Sequence, residues 1–331
     1  MDQTTRPAAH RLVPALGLAL LSPVCAELLS GYDDTTGHPL VLVFMVLIGA
    51  ALYGAPALLI RETARRTGLG WPGVLLLAAA LGIVQAGIID QSLFSTDYRG
   101  IDYWAAMTGP TRIDALGISA ITVLTFVGGH MAWSFTAPIV IVEAIHTRGP
   151  QRPWLRAPGL VVTAVAYLAA AYFILRDHYA NETDHASPAQ LTGAAVCAAV
   201  LIALAFLLRR KPARLPRRVP PAWVLVPASA AAIIASTVSY SWTGFAVAAV
   251  LLGGGAIAVA HWSRSTTWTP RHAVALASGA LYAVVLPSFI TDPIGEVDLV
   301  AKYANNAVMT LLVIALTWWA MRRSSREAAP R

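Results

Sequence analysis

Residues 71–90 read Trp71-Pro72-Gly73-Val74-Leu75-Leu76-Leu77-Ala78-Ala79-Ala80-Leu81-Gly82-Ile83-Val84-Gln85-Ala86-Gly87-Ile88-Ile89-Asp90. No charge occurs before Asp90, and the run is as long as the roughly 20 apolar residues that carry a helix across a bilayer core. Continued to residue 93, it reads as one membrane span. Working outward, the same pattern recurs at 12–30, 39–60, 115–146, 158–175, 188–208, 221–240, 243–262, 272–291 and 299–321. The sequence therefore predicts an all-α, polytopic bundle of about ten spans in one membrane domain over 1–331. The composition agrees. Hydrophobic residues are 57% of 331, charged residues only 12%, and mean hydropathy is +0.62. A soluble domain carries about 25% charged residues, so an ordinary soluble enzyme and a disordered chain are both excluded.

The net charge of +7 is a statement about sidedness rather than about nucleic acid, which is not an expected partner. With the N-terminus inside and ten crossings, 20 of the 24 basic residues fall on inner segments. These include Arg61, Arg65, Arg66, Arg148, Arg152, Arg156, Arg264, Arg271, Arg322, Arg323 and the run from Arg209 to Arg218. Of the 17 acids, 13 fall outside. That asymmetry follows the positive-inside rule and puts both termini in the cytoplasm. The Arg- and Ala-rich composition points to the cytoplasmic membrane of a bacterium, with the lipid bilayer as the partner. Arg6 and Arg11 before an apolar stretch, with Val24-Cys25-Ala26, also fit a cleavable signal peptide; a retained first span is preferred. Oligomeric state is open.

Cys25 and Cys197 lie in apolar runs, and there is no Cys/His cluster, so neither a metal nor a cofactor is expected. Residues 115–146 would form a helix of about 48 Å against a core of about 30 Å. The span must tilt, protrude or break, with Gly128-Gly129 and Pro138 as the break points. Pro23, Pro56 and Pro287 also lie inside spans, and each frees a carbonyl that needs a partner. No internal repeat is visible. The first half has the outer loop 94–114, the second the basic, proline-rich entry Arg209–Pro221.

Ionisable residues in hydrocarbon are costly and mark function. The sequence places Glu27, Gln85, Asp90, His130, Lys302 and Asn305 at depth. Together they predict a polar cavity open to the outer side that binds a small-molecule substrate. Ser119, Thr122, Phe126, His130 and Ser134 share one face of the fourth span, and Lys302, Asn305 and Asn306 one face of the tenth. The inner-edge group Arg61, Glu62, Arg65, Arg66, Glu143 and His146 reads as interfacial anchoring, with Glu62 and Arg66 as a surface i, i+4 pair. Tyr103 and Trp104 fit an aromatic belt, and the loop carrying them a lid. Asn181-Glu182-Thr183 matches a glycosylation sequon that a bacterium leaves unused.

Three functions follow: a permease or exporter, favoured by the span count and the polar residues at depth; an intramembrane enzyme; and a non-catalytic subunit or sensor. For the second, Glu62-x-x-x-Arg66 and Phe126-x-x-x-His130 resemble fragments of the E-E-x-x-x-R and F-x-x-x-H motifs of CPBP-type intramembrane proteases. Arg61 stands in place of the first Glu, and no His-x-x-x-Asn follows. P-loop, HEXXH, GxSxG and D-D-x-x-D motifs are absent.

Overall fold

The computed structural model describes residues 9–33, 35–146, 152–208 and 214–327. Arg6, Arg148, Arg209, Arg210, Lys211 and Arg331 lie outside them. The fold is all-α; the only paired strands among the described residues are Arg112–Ile113 and Ile118–Ser119, a two-residue hairpin ladder. That hairpin replaces the first residues of the predicted fourth span.

Nine helices among the described residues are long and apolar enough to cross a membrane: Arg11–Leu28, Pro39–Thr67, Trp71–Ile89, Ala120–His146, Ala157–Asn181, Pro188–Leu207, Trp242–Trp262, Pro270–Phe289 and Leu299–Ser325. The seventh predicted span, 221–240, is a shorter helix, Ala222–Ser236, with Pro227 inside it. Its 15 residues reach only about 22 Å. It nevertheless runs alongside the eighth span, Trp242–Trp262. The extended stretch before it meets that helix's far end, where the Leu215 N–H donates to the Arg264 carbonyl at 2.9 Å. An Arg217 guanidinium nitrogen also lies 2.9 Å from His261 Nδ1.

The first four spans and the ninth form the centre of the bundle, with the fourth touching the first, third, ninth and tenth. Small residues permit this. A Cβ on Gly54 would collide with the Ala19 backbone of the first span, and one on Gly82 would stand 3.1 Å from the His130 Cβ of the fourth. Close backbone approach of this kind replaces the hydrophobic drive that lipid removes. The fifth, sixth and eighth spans are mostly unburied. Val162, Leu168, Val250 and Ile257 are each more than 60% exposed, a surface suited to hydrocarbon rather than water.

The fourth span does not break at Gly128-Gly129. It stays helical from Ala120 to His146 by widening into π turns at Val123–Val127 and His130–Thr136.

Candidate functional site

π turns are rare and tend to mark functional positions. Here they occur at Val24–Leu28, Ala50–Gly54 and Val84–Ile89 as well as in the fourth span. The first four spans therefore all carry them. Each π segment or pair brings a polar group inward: Glu27, Tyr53, Gln85 and His130. Proline accounts for two of them. Pro56 and Pro138 each stand two residues beyond a π segment, where the ring removes an N–H and crowds the carbonyl four residues back. For Pro138 that carbonyl belongs to Ser134. The Ser22 hydroxyl, fully buried in the first span, lies against it and also 3.0 Å from the Tyr53 carbonyl. One serine thus meets the backbone of two widened helices.

Tyr53 links the group. Its hydroxyl donates to Glu27 Oε1, while Tyr32 donates to Oε2 at 3.4 Å. Its ring stacks on His130 at 5.9 Å, and His130 stacks on Phe135 at the same spacing. Asp90 follows directly on the third span and accepts the Ser92 N–H at 2.9 Å. The charges of Glu27 and Asp90 act on one another and on Tyr53. Outside the spans, the Glu27 charge and burial push the Tyr32 phenol well above its ordinary value, and burial does the same for Tyr98. Asp90 is held in place by its neighbour. Gln91 adopts a left-handed backbone (φ 56°), is buried, accepts the Ala186 N–H at 2.7 Å and donates to the Tyr179 hydroxyl at 3.4 Å.

Loop 94–114 closes over this end. Trp104 is not an interfacial belt residue: it is buried, stacks on Phe126 at 5.7 Å, packs on Tyr98 at 5.0 Å and donates its indole N–H to the Ser95 carbonyl. Tyr103 remains half exposed. Asp184 pins the loop by accepting both the N–H and the hydroxyl of Thr96 at 2.6 Å, and Glu182 accepts the Arg99 N–H at 3.1 Å.

Of the six predicted site residues, Glu27 and His130 are joined by Tyr53, whereas Asp90 accepts from Ser92 beyond the end of the third span. Gln85 is buried in the seam towards the fourth span, three residues beyond Gly82, and its Oε1 has no partner among the described residues. Asn305 lies beside the group, 3.5 Å from the Leu28 carbonyl. Lys302 is engaged elsewhere: it donates to the Thr291 carbonyl and lies 5.5 Å from the Tyr303 ring, tying the tenth span to the end of the ninth. Tyr53 was missed because a tyrosine in an apolar run carries no depth signal of its own. Its place one turn from Pro56 was the available clue.

At the opposite end, the group read as interfacial anchoring is buried. Arg61 and Glu62 are fully enclosed, and Glu143 nearly so. Arg61 bonds Glu62 at 2.6 Å and Glu143 at 3.0 Å, and Arg65 grips Glu143 with two nitrogens at 2.7 and 2.6 Å. The backbone N–H groups of Trp154 and Leu155 donate to the two Glu62 oxygens, and the Arg61 guanidinium lies 3.4 Å from the Trp154 ring centre. The predicted Glu62–Arg66 pair exists at 3.5 Å, but Glu62 is buried rather than at the surface. The sequence spacing showed that pair; it could not show Trp154 folding over it.

No family model, curated protein or solved structure matches this chain.

Proposed function

We propose that the protein is a small-molecule permease or exporter of a bacterial cytoplasmic membrane. In this reading both termini are cytoplasmic, and the Glu27–Asp90–His130 group is the substrate site, reached from the outer side. The observation that carries it is the coincidence of π turns with inward polar residues in all four leading spans. Widened helix inside the bundle is where transporters build sites, because backbone carbonyls and side chains there are not committed to regular helix bonds. The Arg61–Glu143 network supports the same reading. It closes the opposite end by buried ion pairs, and alternating access keeps one side of a site closed while the other opens. The pairing of Ala222–Ser236 with Trp242–Trp262 supports ten passes despite the short helix. Impermeant-maleimide labelling of single cysteines at Asp97 (outside) and Arg156 (inside) checks the orientation.

The protease-like motif fragments do not support an intramembrane-protease site, because they lie apart, Glu62 at the inner end and His130 among the widened helices. Glu62 has both oxygens filled by arginines and backbone N–H groups, and His130 sits in the tyrosine stack.

The test is solute flux into proteoliposomes, screened over cationic, neutral and anionic solutes. At least one solute is expected to move, and Asp90→Asn and His130→Ala should abolish its flux while leaving the protein folded. Flux unchanged in both variants sinks the reading.

A further inference from the structure

We propose that the clasp between residues 214–218 and 264–267 is a binding site for the phosphate of an anionic phospholipid headgroup. This goes beyond the permease reading and does not depend on it.

Backbone bonds build the clasp from two connections far apart in the chain. The Leu215 N–H donates to the Arg264 carbonyl at 2.9 Å, and the Thr266 N–H donates to the Leu215 carbonyl at 3.1 Å, forming one parallel bridge. Ser265 locks it. This serine is fully buried, and its hydroxyl donates to the Arg217 carbonyl at 2.7 Å. The same oxygen accepts the Arg217 and Thr267 N–H groups at 3.3 and 3.2 Å.

The clasp forces two arginines together. The peptide unit Arg214–Leu215 bonds the peptide unit Arg264–Ser265, so Arg214 and Arg264 stand level across the bridge, on backbone about 5 Å apart. Both are exposed. Like charges opposite one another on paired strands are destabilising, and the bonds around Ser265 keep this pair from separating. No local acid offsets them. The sequence has no Asp or Glu between Asp184 and Asp292. Among the described residues, no salt bridge joins Arg214, Arg217, Arg218 or Arg264 to a carboxylate. An anion at the pair removes the repulsion, and guanidinium groups suit phosphate because each offers paired N–H donors.

Position selects a lipid phosphate over a dissolved one. The clasp joins the start of Ala222–Ser236 to the end of Trp242–Trp262. Trp262 closes the longer helix, and Trp223, the second residue of the shorter, is exposed. Aromatic residues at span ends mark the headgroup level. The shorter helix reaches only about 22 Å against a core of about 30 Å, so the cationic stretch before it runs along the boundary where headgroup phosphates lie. In the proposed orientation this is the inner leaflet.

Native mass spectrometry of the detergent-purified full chain tests this. Dioleoylphosphatidylglycerol, the zwitterion dioleoylphosphatidylcholine and the soluble headgroup glycerol 3-phosphate are titrated separately. The anionic lipid is expected to bind saturably, with the other two at least about fivefold weaker. Arg214→Gln and Arg264→Gln should each weaken the anionic lipid about fivefold, the share of one arginine at a charged membrane surface. Arg156→Gln, which removes an exposed arginine from another connection, should leave that binding unchanged. In lipid-free detergent the two clasp variants should melt no lower than wild type, because each removes a repulsion. The proposal is overturned if either of the other two ligands binds as tightly as the anionic lipid, or if all three variants weaken that lipid alike. It is also overturned if the clasp variants bind the lipid as wild type does, or if they melt lower than wild type without it.

Discussion

The Tyr53 hydroxyl donates to the Glu27 carboxylate, joining the second span to the first, while the same tyrosine ring stacks on His130 of the fourth at 5.9 Å. One side chain therefore couples a charge to an aromatic column. Tyr53→Phe keeps the stack and removes the bond. Flux and ligand binding should fall severalfold, with a stability loss of about 1 kcal/mol. Thermal melting and proteoliposome uptake, measured on the same preparation, check this; unchanged uptake would show that the Glu27 contact is structural only.

The Arg61–Glu62–Arg65–Glu143 network should behave differently. Glu143→Gln leaves Arg65 without its carboxylate and the enclosed Arg61 with Glu62 alone, and removing one partner of a buried pair costs about 3–5 kcal/mol. Arg66, whose side chain is 38% exposed, should cost only about 0–1 kcal/mol on replacement by Ala. Denaturant unfolding of both variants gives the contrast, and equal losses would show that burial does not govern this network.

Ser22 and Pro138 should be coupled. Ser22→Ala strands buried carbonyls at a cost of about 1–3 kcal/mol. Pro138→Ala restores an N–H that can bond the Ser134 carbonyl, so the second loss should be smaller in its presence. A double-mutant cycle measures the difference. Strict additivity would remove the proposed link between the proline and the serine.

Asp184 gives the anchoring of loop 94–114 a pH dependence. Partial burial works to raise its carboxyl, but the two Thr96 bonds outweigh that and hold it below its ordinary value. A depressed folded value means the anchor contributes fully above the ordinary aspartate pKa of about 3.9. The contribution is then lost as pH falls through the folded value. Pepsin cleavage within 94–114 should therefore rise more steeply with acid in wild type than in Asp184→Asn, which lacks the titrating group. Parallel profiles would show that Asp184 does not hold the loop.

Much of the architecture was legible in the chain alone. Apolar runs, and the absence of charge within them, place the helices because hydrocarbon admits only backbone that bonds itself. That Glu27 and His130 fall inside helical spans, and Asp90 directly after one, followed from counting along those runs. Proline positions announced that carbonyls would be freed, though not which hydroxyl would meet them.

The tertiary structure decided the rest. Whether a proline breaks a helix or widens it depends on what packs beside it, and here Ser22 and Gly82 let the fourth span stay whole. Whether Arg61 and Glu62 face lipid headgroups or each other depends on Trp154, 92 residues from Glu62 in the chain. Lys302 turned to the end of the ninth span for the same reason. Sequence fixes the depth of a side chain along its own helix, but its partners are set by how helices rotate against one another, and π turns change that rotation within a single span.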